Sequence, residues 1–201
     1  MATPTTAAEA LEQDYDGWMK AYKKDFKAKM ANGAFQYVDR PANKVIHKIG
    51  WAHKIVWNDD NTISELRARL VGKPFKQVKG VHYVSSYSAT PRISAVCAFL
   101  CAMEALDLDD EHCDVVKAFT QSKLDDVSEL YVEQPPVLPK VKGSDGKDQV
   151  MRAIMSLEGF MQSGHIHQRN HSATFTTANP VAVFEQLDEE PTIFVYINPS
   201  S

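Results

Sequence analysis

The feature that most constrains this chain is an alternation of apolar and polar residues from 45 to 57. Val45, His47, Ile49, Trp51, His53, Ile55 and Trp57 occupy one parity, and Ile46, Lys48, Ala52, Lys54 and Val56 the other. A period of two belongs to a strand with one face buried, because successive side chains leave a pleated backbone on opposite sides. Asn58-Asp59-Asp60-Asn61 is turn chemistry, and "TISELRARLV" returns as a second strand. These stretches predict a long antiparallel hairpin. Arg67, Arg69 and Lys73 share one parity on its second strand and project from one face, with Lys54 on the first strand.

Charge is distributed unevenly around this hairpin. The net charge of −4 does not mark the chain as a nucleic-acid binder. Residues 40–80, however, hold nine Lys or Arg against Asp59, Asp60 and Glu65, whereas residues 104–133 hold ten Asp or Glu against Lys117 and Lys123. A basic element beside an acidic one suits a site that handles polyanions and cations together; two solvated faces of opposite sign is the plainer alternative.

The flanking segments predict helices and short strands. Leu11, Tyr15, Trp18, Tyr22 and Phe26 recur at helical spacing within a helix over 5–30, stopped by Asn32-Gly33. Thr90-Pro91 opens another, carried by Ile93, Val96, Cys97, Leu100, Cys101 and Met103 to about Leu106 and buried on most sides. "CDVVKAF" reads as a short buried strand with Asp114 near its start, and "SELYVEQPP" as a second strand ended by its prolines. Residues 140–148 form a polar loop, 150–178 are mostly helix broken near Gly159 and Gly164, and "EEPTIFVYI" is a last strand. The fold class is α+β. Cys97, Cys101 and Cys113 form no Cys-x-x-Cys pair and are expected as reduced, core-packing thiols. No apolar run approaches the roughly 20 residues that span a bilayer, and the N-terminus lacks a secretion signal, so the expectation is an intracellular chain with no membrane partner.

Four segments, in order, resemble the reverse transcriptase domain of copia-type retrotransposons. "ELRARLVGKPFKQVKGVHY" is similar to K-A-R-L-V-A-K-G-F-x-Q-x-x-G-x-D-Y, and "DVVKAFTQSKLDDVSELYVEQPP" to D-V-x-x-A-F-L-x-G-x-L-x-E-x-I-Y-M-x-Q-P-P. "SLEGFMQSG" is similar to Y-G-L-K-Q-S-P, and "EEPTIFV" to D-P-T-L-F-V. The resemblance implies the fingers and partial palm of a right-hand polymerase with an incomplete antiparallel sheet. Residues 1–40 would be an N-terminal helix region, 41–92 the fingers hairpin and 93–201 a partial palm. It implies RNA-directed DNA synthesis from deoxynucleoside triphosphates on a template-primer with Mg²⁺, within a Gag-Pol polyprotein.

The same resemblance assigns residues. Asp114 would be the first metal-binding, catalytic aspartate, and the main-chain carbonyl of Val115 would help hold the second ion, since hard Mg²⁺ takes rigidly held oxygens. Phe119 matches the ring that sits under the sugar and leaves no room for a 2′-hydroxyl. Arg69 and Lys73, with Arg67 nearby, match the cations that grip the triphosphate, and Gln162 the glutamine against the incoming nucleotide. Without the resemblance, Asp114 is one acid in an acidic run, Phe119 a core ring and Arg69 a solvated strand residue. His165, His167 and His171 do not read as a zinc site, because His-x-His on a helix splays its rings apart.

The chain also departs from the family. Its Tyr-x-Asp-Asp block is absent, and Val195-Tyr196-Ile197-Asn198-Pro199 follows "EEPTIF" directly. Pro74, Cys97 and Thr120 stand where the family has glycine, arginine and leucine. Met161, His165 and His167 replace lysine, arginine and tryptophan. The expectation is a chain truncated before its second catalytic block and catalytically incomplete. The alternative is a non-catalytic nucleic-acid-binding or interaction module on the same fold.

Overall fold

The computed structural model describes residues 2–107, 109, 115, 118–124, 129–177, 183–188 and 190–197. Two helices open the chain, α1 (Ala7–Gln13) and α2 (Tyr15–Ala31). The single helix expected over 5–30 is interrupted at Asp14, whose side chain accepts the Gly17 N–H at 2.9 Å and restarts the chain as a new N-cap. Gly33, at φ +68°, ends α2 and turns the chain into β1 (Phe35–Val38).

The predicted hairpin is present: β2 (Ile46–Trp57) pairs antiparallel with β3 (Ile63–Lys73) through Lys48↔Lys73 to Trp57↔Ile63. His47, Ile49, Trp51 and Ile55 are buried, as the alternation requires, while Lys48, Ala52 and Lys54 are exposed. The buried face packs on α2, where Tyr22 lies 4.5 Å from Trp51 between ring centroids. The Tyr22 hydroxyl meets His53 Nε2 at 2.8 Å, and burial pushes that phenol up to about 12. Each large side chain fully buried in this layer stabilises by about 1.5–3 kcal/mol relative to exposure.

The sheet around the hairpin has the order β1-β5-β4-β2-β3, adding β4 (Leu130–Val132) and β5 (Val150–Ala153). It is mixed rather than antiparallel throughout, because β2 and β4 pair in parallel at Ile46↔Tyr131 and His47↔Val132. β5 also corrects the helix expected from residue 150. A strand fills 150–153, a turn follows, and α4 begins only at Ser163 and runs to Thr177. A separate two-stranded sheet joins β6 (Val183–Gln186) to β7 (Phe194–Ile197).

The helix over 93–105, α3 (Ile93–Ala105), forms as expected but is not buried. None of its residues is buried, Ile93 is 77% exposed, and Cys97 and Cys101 are exposed free thiols rather than core residues. An apolar run sustained on every face marked burial by composition, yet it could not say what would cover it. The strand expected at 113–119 lies mostly outside the described residues. Its end, Ala118–Gln121, is a turn of 3₁₀ helix.

Candidate functional site

Alternation along β3 sends Arg67, Arg69 and Lys73 outward and Ala68, Leu70 and Gly72 inward. The antiparallel register then sets Lys73 opposite Lys48 and Arg67 opposite Lys54, with Arg69 opposite Ala52. Like charges directly across an antiparallel pair are mutually destabilising. Lys48, Lys54, Arg69 and Lys73 have no ion-pair partner among the described residues. Lys73 lies along its own strand partner's glycine: a Cβ on Gly50 would meet its Cε at 2.6 Å. Gly50 thus makes room for the lysine arm, a role glycine fills inside strands.

Arg67 is engaged differently. Its Nε donates to Glu65 Oε2 at 2.6 Å, while Lys24 on α2 reaches Glu65 Oε1 at 2.8 Å. Lys24 first and Arg67 second hold the Glu65 carboxyl down at about 2. These residues rim a cavity of about 450 Å³ between α2 and β3. Six residues of strand separate Arg67 from Lys73, roughly 20 Å. The structure therefore groups Arg67 with the outer half of the hairpin, whereas Lys73 stands at its base.

The base of the hairpin is closed by the turn that precedes α4. The Gly72 N–H donates to the Glu158 carbonyl at 2.7 Å. Farther along the same edge, the Leu70 N–H donates to Asp25 Oδ2 at 2.8 Å. Gly159, at φ +91°, lies so close that an added Cβ would stand 2.3 Å from the Gly72 carbonyl oxygen. A Cβ on Gly72 would in turn strike the Phe160 ring. This packing brings Gln162 to the hairpin base. Its Oε1 accepts from Gln77 Nε2 at 2.9 Å, and Gln77 Oε1 accepts the Met161 N–H at 3.0 Å. Gln162 Nε2 is buried with no hydrogen-bond partner among the described residues.

Phe119 meets the same helix one step on. Its ring lies 5.7 Å from His167 on α4, and it is half-buried, as is Val115. Asp114 lies outside the described residues. So Lys73, Gln162 and Phe119 are linked through Gly72, Phe160 and α4. Among the described residues no three His, Cys, Asp or Glu side chains gather where a metal ion could bind. One carboxylate and one carbonyl, both assigned by resemblance, are fewer oxygens than a two-ion cage takes, but hard Mg²⁺ accepts oxygens of both kinds and completes its shell with substrate phosphates, so their donor chemistry fits a single ion.

Sequence reasoning missed Gln77, although it stands in the quoted "KPFKQ" segment, and missed that Lys48 faces Lys73. The register was the missing information. No helix among the described residues is long and apolar enough to cross a membrane.

A family model described as reverse transcriptase (RNA-dependent DNA polymerase) matches residues 32–199. The retrovirus-related Pol polyprotein from transposon TNT 1-94 of Nicotiana tabacum is 31% identical over 145 residues, covering 72% of this chain and 10% of that polyprotein. The corresponding polyprotein from transposon RE2 of Arabidopsis thaliana is 25% identical over 180 residues, 89% of this chain and 12% of its own length. The chain thus spans about a tenth of the length of these relatives.

Proposed function

Because the chain belongs to the reverse transcriptase (RNA-dependent DNA polymerase) family of copia-type Pol polyproteins, we propose that it supplies the fingers and the first part of the palm of a right-hand polymerase. Residues 1–40 brace the fingers hairpin of 41–92, and 93–201 contribute the partial palm. The proposed ligands are a deoxynucleoside triphosphate and a template-primer. The observation that carries this reading is the hairpin face, where Lys48 opposes Lys73 and Lys54 opposes Arg67 around Arg69. Cations set against one another are relieved when a polyanion lies across them.

In this reading Arg69 and Lys73 neutralise the triphosphate, with Arg67 acting farther out along the hairpin. Gln162 lies against the nucleotide, and its buried amide nitrogen, without a hydrogen-bond partner among the described residues, supports it as a donor awaiting an acceptor. The Phe119 ring sits under the sugar and selects against a 2′-hydroxyl. The family uses a divalent metal; when bound, Mg²⁺ would neutralise charge at the reacting phosphate, with Asp114 and the Val115 carbonyl its proposed ligands. The 201 residues contain no Tyr-x-Asp-Asp. We therefore assign this chain binding without turnover on its own.

Two assays test the reading. Titration with a fluorescent dTTP analogue is expected to show salt-sensitive binding that Arg69→Ala and Lys73→Ala each weaken; unchanged affinity in both variants would remove the nucleotide assignment. Primer extension on poly(rA)·oligo(dT) with Mg²⁺ is expected to give no product. Extension that disappears in Asp114→Ala would overturn the claim of incompleteness.

A further inference from the structure

His167, His171 and Phe175 follow one another at intervals of four along α4 and form one stripe. Residues four apart are neighbours on a helix surface, so the two imidazoles lie side by side. Their ring centroids are 5.8 Å apart and the ring planes are inclined by 50°. Two residues apart, His165 and His167 do splay: Nδ1 of His165 turns to the Tyr87 carbonyl at 2.9 Å. Four apart, His167 and His171 converge.

Aromatic neighbours hold both rings in place. Phe119 meets His167 edge-on at 5.7 Å and Phe175 meets His171 edge-on at 4.8 Å, while Phe175 itself stacks on Phe194 of β7 at 5.2 Å. Side chains already ordered lose little further freedom when an ion binds. Each imidazole is half-buried, and neither makes a hydrogen bond among the described residues, so the ring nitrogens are not engaged by the protein there. Burial first, then the neighbouring His171, holds the His167 imidazole below its ordinary value, which keeps it a neutral ligand at neutral pH. With metal–nitrogen bonds of about 2.0–2.1 Å, two imidazoles sharing an ion have centroids roughly 4.5–6.4 Å apart, from a right-angled to a linear arrangement at the metal. The spacing of His167 and His171 falls within that range.

We infer that His167 and His171 together bind one divalent transition-metal ion of the kind that prefers imidazole, such as Ni²⁺, Cu²⁺ or Zn²⁺. Two histidines at i and i+4 on one helix face are a recurrent chelating pair. Two side chains are fewer than a closed site takes, so water fills the remaining positions and the site stays open. Hard Mg²⁺, which takes oxygen ligands, is rejected by the same donor set, so this ion is not the one proposed at Asp114. Neither histidine serves the nucleotide, and the inference stands without that reading; Phe119 borders the site only as the ring beside His167.

The test uses the untagged full chain with its thiols blocked by iodoacetamide, since Cys97 and Cys101 are exposed and thiolates compete for the same ions. Isothermal titration with Ni²⁺ at neutral pH should show one ion per chain. Cu²⁺ should bind more tightly than Ni²⁺ or Zn²⁺, and Mg²⁺ should give no heat. His167→Gln and His171→Gln should each weaken Ni²⁺ binding by on the order of 100-fold, the advantage of a second tethered ligand. His165→Gln should leave it unchanged. Ni²⁺ at about a hundred times its dissociation constant should raise the parent's Tm by about 5–10 °C, and should leave either variant where it was. Because both rings pack against phenylalanine, His167→Phe supplies a variant that keeps a packed ring and should lose the ion as His167→Gln does; dichroism checks that each variant folds. Ni²⁺ binding that survives in the His167 and His171 variants would overturn the site, as would an equal loss in His165→Gln or a parent chain that binds no Ni²⁺.

Discussion

Replacing Lys48 with glutamate should make the free protein more stable and a worse ligand for triphosphates. Lys48 faces Lys73 directly across the ladder and both are exposed. An opposed pair of like charges destabilises, and an opposed pair of unlike charges stabilises, by about 0.2–1 kcal/mol each, so the reversal is worth about 1 kcal/mol. For a chain of this size that corresponds to a rise in Tm of about 2–4 °C. The gain is carried by screened surface charges and should nearly vanish near 1 M salt, where the Debye length is about 3 Å. Binding should move the other way. Removing one cation and adding one anion roughly 8 Å from a phosphate costs about 1 kcal/mol even at the dielectric constant of water, or roughly fivefold in affinity. The assays are differential scanning fluorimetry at low and high salt and titration with the dTTP analogue. A Tm that falls or stays put at low salt would refute the opposed-charge account. A higher Tm with unchanged dTTP affinity would refute the link between that face and the triphosphate.

Acid should destabilise the protein through His47. Burial first, then His82 and Lys76, lower its imidazole from 6.5 to about 4, so the unfolded chain takes up the proton before the folded one. Stability is then fully present above pH 6.5 and is lost as pH falls toward 4, by up to roughly 3 kcal/mol; His47→Gln should flatten thermal melts across that window. Gly159→Ala should cost more than about 2 kcal/mol, combining positive-φ strain with a clash on the Gly72 carbonyl, read as a lower urea midpoint. Cys97 and Cys101 should both be modified by Ellman's reagent in the native state, as mapped by mass spectrometry; protection of both until unfolding would contradict an exposed α3.

What was legible in the sequence was local. The alternation over 45–57, the Asn-Asp turn and the parity of Arg67, Arg69 and Lys73 are set by neighbours two residues apart, and β2 and β3 carry them. The parallel pairing of β2 with β4 joins His47 to Val132, and no local pattern encodes a partner 85 residues away. The stretch that forms β5 reads as helix from sequence because Val150, Met151 and Ala153 are too few residues to distinguish a period of two from one of 3.6. In α3 the apolar content predicts burial, although burial needs a partner surface. The site divides the same way. Hairpin cations could be named from the motif, but that Lys73 faces Lys48, lies over Gly50 and joins Gln162 through Gly72 and Phe160 depends on register and on one turn's approach to an edge strand.

The hairpin also explains how a surface so unfavourable in isolation persists. Its two opposed cation pairs cost about 0.4–2 kcal/mol together at low salt, less for the pair of Lys54 and Arg67, because Glu65 holds Arg67. The opposite face of the same strands buries Ile49, Trp51, Ile55 and Leu70 against Trp18 and Tyr22, and each such side chain contributes about 1.5–3 kcal/mol. Asp25 and the Glu158 carbonyl take up two outward N–H groups of the edge strand that would otherwise go unpaired. The inner face therefore over-determines the strands' position, and the outer face is free to carry Lys48, Lys54, Arg69 and Lys73, cations with no ion-pair partner among the described residues. It follows that weakening the inner face, as Trp51→Ala would, should lower polyanion affinity without touching a cation, whereas Lys54→Gln should lower affinity and leave the fold at least as stable. Equal stability losses in the two variants would mean that the two faces are not separable in this way.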